Sequence, residues 1–294
     1  MTLRLEMLQV ARLAPRMLGD AAENVVAFLR SQQTPGGVFQ DRAGNPDLYY
    51  TVFGVEALAA MQAEADPGPL TDYLRTFGDG ASLDFVHLAC LARGWANAPR
   101  GSLDDATRTS ILARIESHRS DDGGYDATPG SPLGTLYGCF LALGACQDLG
   151  IDLPNPEGVL QCIQSLRAGD GGYANGRDFP HGLTPSTSAA AALLRQLDHP
   201  APPELGAWLL ARCRPEGGFF ATPQAPIPDL LSTATALHAL AGLHVDFSSV
   251  KERCLDFLDT LWSSKGGFYG TWEEDVLDCE YTYYGLLALG HLSL

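Results

Sequence analysis

Basic residues are scarce. Lysine and arginine total 19 against 35 aspartates and glutamates, which gives a formal net charge of −16. Phosphate backbones are held by clustered Lys and Arg, so this balance argues against a nucleic-acid surface, and it disfavours docking on anionic membrane. Long apolar runs are missing too: nothing approaches the roughly 18 residues that mark a membrane span. Among the seven cysteines (Cys90, Cys139, Cys146, Cys162, Cys213, Cys254, Cys279) there is no CxxC pair. An odd, scattered set without a secreted-type framework predicts reduced thiols in a cytoplasmic protein. The N-terminal stretch MTLRLEMLQVARLAPRML mixes Arg and Glu among its apolar positions. It makes a poor signal peptide and reads as an amphipathic helix.

What is present is a globular composition: 294 residues, 46% hydrophobic and 18% charged, ample for a large core. It is also repetitive. Double glycines followed by an aromatic or valine recur as 36-GGVF, 123-GGYD, 171-GGYA, 217-GGFF and 266-GGFY, and the first glycines of the last four lie 48, 46 and 49 residues apart. The gap of 87 from Gly36 to Gly123 fits two units, with 77-FGDGASLDFVHLACLARGW-95 standing where a decayed glycine pair belongs. Six units of somewhat under fifty residues result, a period typical of stacked helical repeats.

Every unit has the same internal order. An amphipathic stretch precedes the glycines, as in 158-GVLQCIQSLRA and 252-ERCLDFLDTLW; a Gly/Pro/Asp-rich loop follows, and then a segment apolar nearly all round, such as 51-TVFGVEALAAM, 233-TATALHALAGL or 282-TYYGLLALGHL. One-faced helices lie at a surface and all-round apolar ones are buried. Each unit therefore supplies one outer and one inner helix. The expectation is an all-α fold, a double-layered α/α barrel or toroid, over 1–294 as one domain, with an N-terminal helix at 1–22 leading into six repeats around a central cavity.

The GG-aromatic turns, the loops ending in Asp and the Thr-initiated apolar helices resemble the toroid shared by protein prenyltransferase β subunits and squalene-type terpenoid cyclases. The local likeness is closest to the β subunits at 208-WLLARCRPEGGF and 31-SQQTPGGVFQDRAGNPDLYYTVFGVEAL. The resemblance implies an isoprenoid or other apolar small molecule in the cavity and, in the β-subunit branch, a bound zinc and a helical partner subunit. That branch holds zinc through Asp-x-Cys at the start of one inner helix and a His at the next. Registered on the glycines, Asp229 occupies the aspartate position, but Leu231 stands for the cysteine and Tyr281 for the histidine. Neither replacement suits Zn²⁺, so no cofactor is expected, a shifted zinc site built from Asp229, Cys279, Glu280 and His181 being the alternative. The resemblance implies a diphosphate held by an Arg and a Lys in the loop of the Asp-x-Cys repeat and a His from the repeat before; here 221-ATPQAPIP-228 carries no basic residue, and Arg177 and His181 lie near the histidine position. The cyclase segment Asp-x-Asp-Asp-Thr-Ala reads Asp229-Leu230-Leu231-Ser232-Thr233-Ala234, without its two central acids.

What remains at the inner-helix starts is a set of acids and aromatics. Asp229, Asp278, Glu280 and Tyr281 are the candidate catalytic groups. Tyr50, Phe53, Asp84, Tyr137, Arg177, His181 and Tyr284 are the candidate substrate-binding ones. Carboxyls crowded in an apolar cavity have raised pKa values and serve as proton donors, and aromatic faces stabilise carbocations. An Asp before a helix is equally the usual N-cap. Three readings stay open: a non-zinc terpenoid cyclase or lyase using cavity carboxylates, a zinc prenyltransferase with relocated ligands, and a non-catalytic toroid that binds a lipid or a protein.

Overall fold

The computed structural model describes residues 1–294. Helices α1 (Leu3–Ala11), α2 (Pro15–Leu18) and α3 (Ala22–Ser31) come first. They are followed by α4 (Leu48–Ala60), α5 (Pro67–Arg75), α6 (Phe85–Asn97), α7 (Asp105–Ser117), α8 (Leu136–Asp148), α9 (Pro156–Ser165), α10 (Thr184–Gln196), α11 (Leu205–Leu210), α12 (Leu230–Gly242), α13 (Ser248–Leu261) and α14 (Cys279–Leu292). The even-numbered helices from α4 form the inner layer and the odd-numbered ones from α3 the outer. Each inner helix packs on the next, and α14 packs back on α4, so the ring is closed. The toroid read from the repeats is what the chain forms. No helix is long and apolar enough to cross a membrane.

The repeat motif has a physical role in each unit. The aromatic after the glycines is fully buried, as with Phe39, Tyr125, Phe219 and Phe268. In four of the repeats a threonine in the first turn of the inner helix fixes it: Thr51 Oγ1 accepts from the Phe39 amide at 3.1 Å and Thr233 Oγ1 from the Phe219 amide at 2.9 Å, and Thr187 and Thr282 do the same for Tyr173 and Phe268. Gly217 (φ +101°) and Gly266 (φ +96°) hold left-handed backbone. A Cβ on either would strike the following outer helix, at 1.7 Å from the Arg253 carbonyl and 2.0 Å from the Asn24 carbonyl. The second contact joins the last repeat to α3, closing the outer layer as well.

Two boundaries differ from the sequence reading. The N-terminal helix does not run through 1–22: Pro15 opens a new helix, and Gly19 at φ +52° ends it. Proline lacks the donor an uninterrupted helix needs and clashes with the preceding turn. In the first repeat the turn glycine is Gly37 rather than Gly36, because Gln33 pairs with Phe39 as Arg119 pairs with Tyr125.

Helix α1 lies across the C-terminal ends of the inner helices. Arg4 bonds Asp148 at 3.0 Å and Asn97 at 3.1 Å, Arg195 grips Glu6, and the Leu3 amide donates to Gln147 at 2.9 Å. These contacts close that end of the ring.

Candidate active site

A cavity of about 450 Å³ fills the centre of the ring, floored by Leu3, Arg4 and Met7 of α1. At the opposite rim the inner helices begin, and there Tyr137 is 44% exposed. Phe53, Tyr137, Glu280 and Tyr284 from the sequence-based set line this space, together with Tyr49. The aromatic wall is continuous: ring centroids lie 5.0 Å apart between Tyr49 and Phe53 and 5.6 Å between Phe53 and Tyr284.

Glu280 sits in the first turn of α14, where the helix presents it to the cavity. Its Oε1 accepts from the Tyr49 hydroxyl at 2.6 Å, and no cation is paired with it. Burial pushes its carboxyl up to about 7, against the stabilising Tyr49 bond. At neutral pH this group is therefore divided between acid and carboxylate. Tyr137 is pushed up to about 12 and Tyr284 well above the usual tyrosine range, both chiefly by burial, so both are neutral hydroxyls.

The remaining candidates stand elsewhere. Asp229, Asp278 and Asp84 are helix caps, accepting from the amides of Ser232, Tyr281 and His87 at 2.7, 2.8 and 2.9 Å. An otherwise unpaired first-turn amide draws such a carboxylate into the helix start and away from the cavity. Asp229 also accepts from the Ser232 hydroxyl at 2.7 Å, and burial raises its pKa. Asp278 is held in addition by Arg42 at 2.7 Å. Tyr281 packs against Gly270 under the Arg42 guanidinium, 5.5 Å from the ring centroid, and Tyr50 meets Tyr49 edge to face at 5.6 Å without lining the cavity. Arg177 bonds Asp122 at 2.9 Å, and His181 lies exposed in its loop. No three His, Cys, Asp or Glu side chains converge on one point. With Leu231 lining the cavity where the β subunits place a thiolate, and with Asp229 engaged as a cap, the residues present do not fit a family-type zinc.

The sequence reading missed three groups. Arg93 lines the cavity, forms a two-bond ion pair with the fully buried Glu56, and lies over the Phe53 ring at 5.1 Å. Asp148, its pKa raised by burial to about 6, pairs with Arg4 at the floor. His238 lines the cavity and bonds His291 at 3.0 Å. A charged or polar residue inside a segment that otherwise reads as core was the one available signal, as with Glu56 in 51-TVFGVEALAAM.

Comparison with known proteins agrees with the architecture. No curated protein matches the chain in sequence. Among solved structures, a single-residue variant of the type II terpene cyclase MstE from Scytonema, in complex with geranylgeranyl dihydroxybenzoate, superposes with a TM-score of 0.62 at 15% identity, covering 95% of this chain and 97% of that one. Candida albicans protein geranylgeranyltransferase-I complexed with GGPP gives 0.63 at 16% identity, covering 83% and 82%. A protein from Actinoplanes gives 0.59 at 15%, covering 93% and 98%. At such identities the likeness is one of fold. The sequence itself matches the model of the prenyltransferase alpha-alpha toroid domain over residues 16–92, 77–220 and 187–293. These matches overlap to cover nearly the whole chain, and it belongs to the prenyltransferase α-α toroid family.

Proposed function

We propose that this protein is an isoprenoid-handling enzyme of the terpenoid cyclase or lyase type, with Glu280 as its proton donor and no metal in the reaction. The observation that carries the reading is the Glu280 carboxyl: it lines an aromatic cavity, lacks a cationic partner, accepts from Tyr49 and is partly protonated at neutral pH. The liganded cyclase and transferase neighbours support an isoprenoid as the occupant. In its acid form Glu280 donates its proton to one carbon of an alkene. The cation left on the other carbon is attacked by a second double bond, forming a ring, and a proton lost to the resulting carboxylate or to water restores neutrality. The faces of Phe53, Tyr49 and Tyr284 stabilise the cation without reacting, and Tyr49 steadies the transient carboxylate. Asp278, Asp229 and Tyr281 take no proton-transfer role in this scheme.

The test is incubation with farnesol, geranylgeraniol and geranylgeranyl diphosphate in D₂O, followed by mass spectrometry. Protonation of an alkene yields an isomer carrying one deuteron, and Glu280→Gln removes that product by at least a hundredfold while the fold persists. Unlabelled products, or turnover surviving in Glu280→Gln, would refute the reading. Binding without conversion would favour a toroid that only carries its ligand.

A further inference from the structure

Two arginines line the cavity, Arg4 and Arg93. Arg4 is fully engaged: its Nε bonds Asp148 at 3.0 Å, its Nη1 Asn97 at 3.1 Å and its Nη2 the Ala96 carbonyl at 3.4 Å. Arg93 keeps a free edge. Its Nε donates to Glu56 Oε1 at 2.7 Å and its Nη2 to Oε2, while its Nη1 bonds nothing in the protein. That nitrogen is not sealed in the packing either. The Arg93 side chain is 21% exposed. Helix α6 packs on α4 and α8 at its flanks and on α5 and α7 behind, so this exposed surface opens into the cavity.

The guanidinium is held in place before any ligand arrives. Glu56 is fully buried and also accepts from Asn97 Nδ2 at 3.1 Å, and the Phe53 and Tyr283 ring centroids lie 5.1 and 5.8 Å from Arg93 Cζ. A side-on fork uses Nε–H and one Nη2–H. It leaves both Nη1 hydrogens and the other Nη2 hydrogen along the end of the group. Charge decides what that end accepts. Glu56 already balances Arg93, and Asp148 balances Arg4. An anionic oxygen here would therefore bury a surplus negative charge, whereas an uncharged oxygen takes the hydrogen bonds without that cost.

We infer that Arg93 is a ligand-recognition residue, the free end of its guanidinium binding an uncharged carbonyl or hydroxyl oxygen of the ligand. The inference rests on the isoprenoid reading of the cavity and adds an orientation to it. Arg93 stands in the third turn of α6 and Glu280 in the first turn of α14. The two are linked along the wall by Phe53, which meets Arg93 at 5.1 Å and Tyr49 at 5.0 Å, and by the Tyr49–Glu280 bond. The oxygen lies inward at Arg93, and the reacting double bond lies nearer the rim, beside Glu280.

Equilibrium dialysis at pH 8 with methyl farnesoate, farnesoate and farnesene tests it. The three share one prenyl chain and carry an uncharged carbonyl, a carboxylate and no oxygen. Removing Arg93 alone would strand Glu56, so the variant is Glu56→Met/Arg93→Met, which deletes both charges together. We expect the wild type to bind methyl farnesoate about tenfold tighter than farnesene, farnesoate gaining nothing, and the ratio to fall to about one in the variant. A ratio near one in the wild type, a ratio unchanged in the variant, or farnesoate as the tightest ligand overturns the inference. In each case the probes still bind, and the isoprenoid reading stands. Failure of the wild type to bind any probe removes both. If the double variant does not fold, the infrared carbonyl band of methyl farnesoate bound to the wild type decides. A band moved to lower wavenumber than in hexane supports the hydrogen bond, and an unshifted band overturns it.

Discussion

Glu280 has exchanged water for one phenol and an aromatic wall, and its titration records the exchange. Burial carries the carboxyl from 4.5 to about 7, and the Tyr49 bond opposes the rise. Proton donation needs the acid form, so activity should be full below pH 6 and fall as pH rises through about 7. Tyr49→Phe removes a donor that favours the ionised form. The pKa should climb further, and the alkaline limb of the pH–rate profile should move up by about one unit. Stability follows the same group. Its folded pKa lies above the unfolded one, so its contribution is fully present below pH 4.5 and is lost as pH rises to about 7. The loss amounts to at most about 3 kcal/mol. Urea melts should therefore show Glu280→Gln more stable than the parent at pH 8, with the advantage gone at pH 4. Glu280 was legible in the sequence because it adjoins the position where relatives place a ligand. Its partner was not, because Tyr49 lies 231 residues away and no local pattern links them. Asp229 and Asp278 misled for the opposite reason: a cap and a cavity acid occupy the same place before an apolar helix, and only the direction of the carboxylate separates them.

At the scale of helices and turns, the periodic glycines disclosed the architecture because a Cβ on three of them, Gly123, Gly217 and Gly266, would meet a backbone atom of the next outer helix, whereas Gly37 and Gly171 face only side chains there. That requirement grades the glycines. Gly266→Ala must move α3 away from the Asn24 carbonyl and also adopt φ +96°. It should destabilise the protein by at least about 3 kcal/mol in calorimetry. Gly144, inside α8, has nothing within 4 Å of its would-be Cβ. Alanine there should raise stability by up to about 1 kcal/mol through helix propensity alone, while narrowing the cavity it lines. The first repeat shows how far such reading goes. Gly36 and Gly37 are adjacent and chemically identical, so the one-residue shift of the turn emerges only from the pairing of Gln33 with Phe39. The His238–His291 pair was hidden similarly, since a lone histidine in 233-TATALHALAGL reads as core until the facing helix is placed.

Over the whole molecule the seam between α14 and α4 matters most. Arg42 spans it to Asp278 and Glu274, Phe53 packs across it on Tyr283 and Tyr284, and the Tyr49–Glu280 bond lies on it. Arg42→Ala leaves the nearly buried Asp278 with its cap amide but no cation. It should lower stability by about 1–3 kcal/mol and quicken amide exchange at the starts of α14 and α4 ahead of the other inner helices. The seam also bears on how the molecule is made. A ribosome adding 5–20 residues per second delivers Tyr49 roughly ten to fifty seconds before Glu280. Throughout that interval α4, apolar on nearly every side, has no α14 to cover it. The emerging chain must be shielded from its neighbours until α14 arrives, and only then can the acid join its phenol.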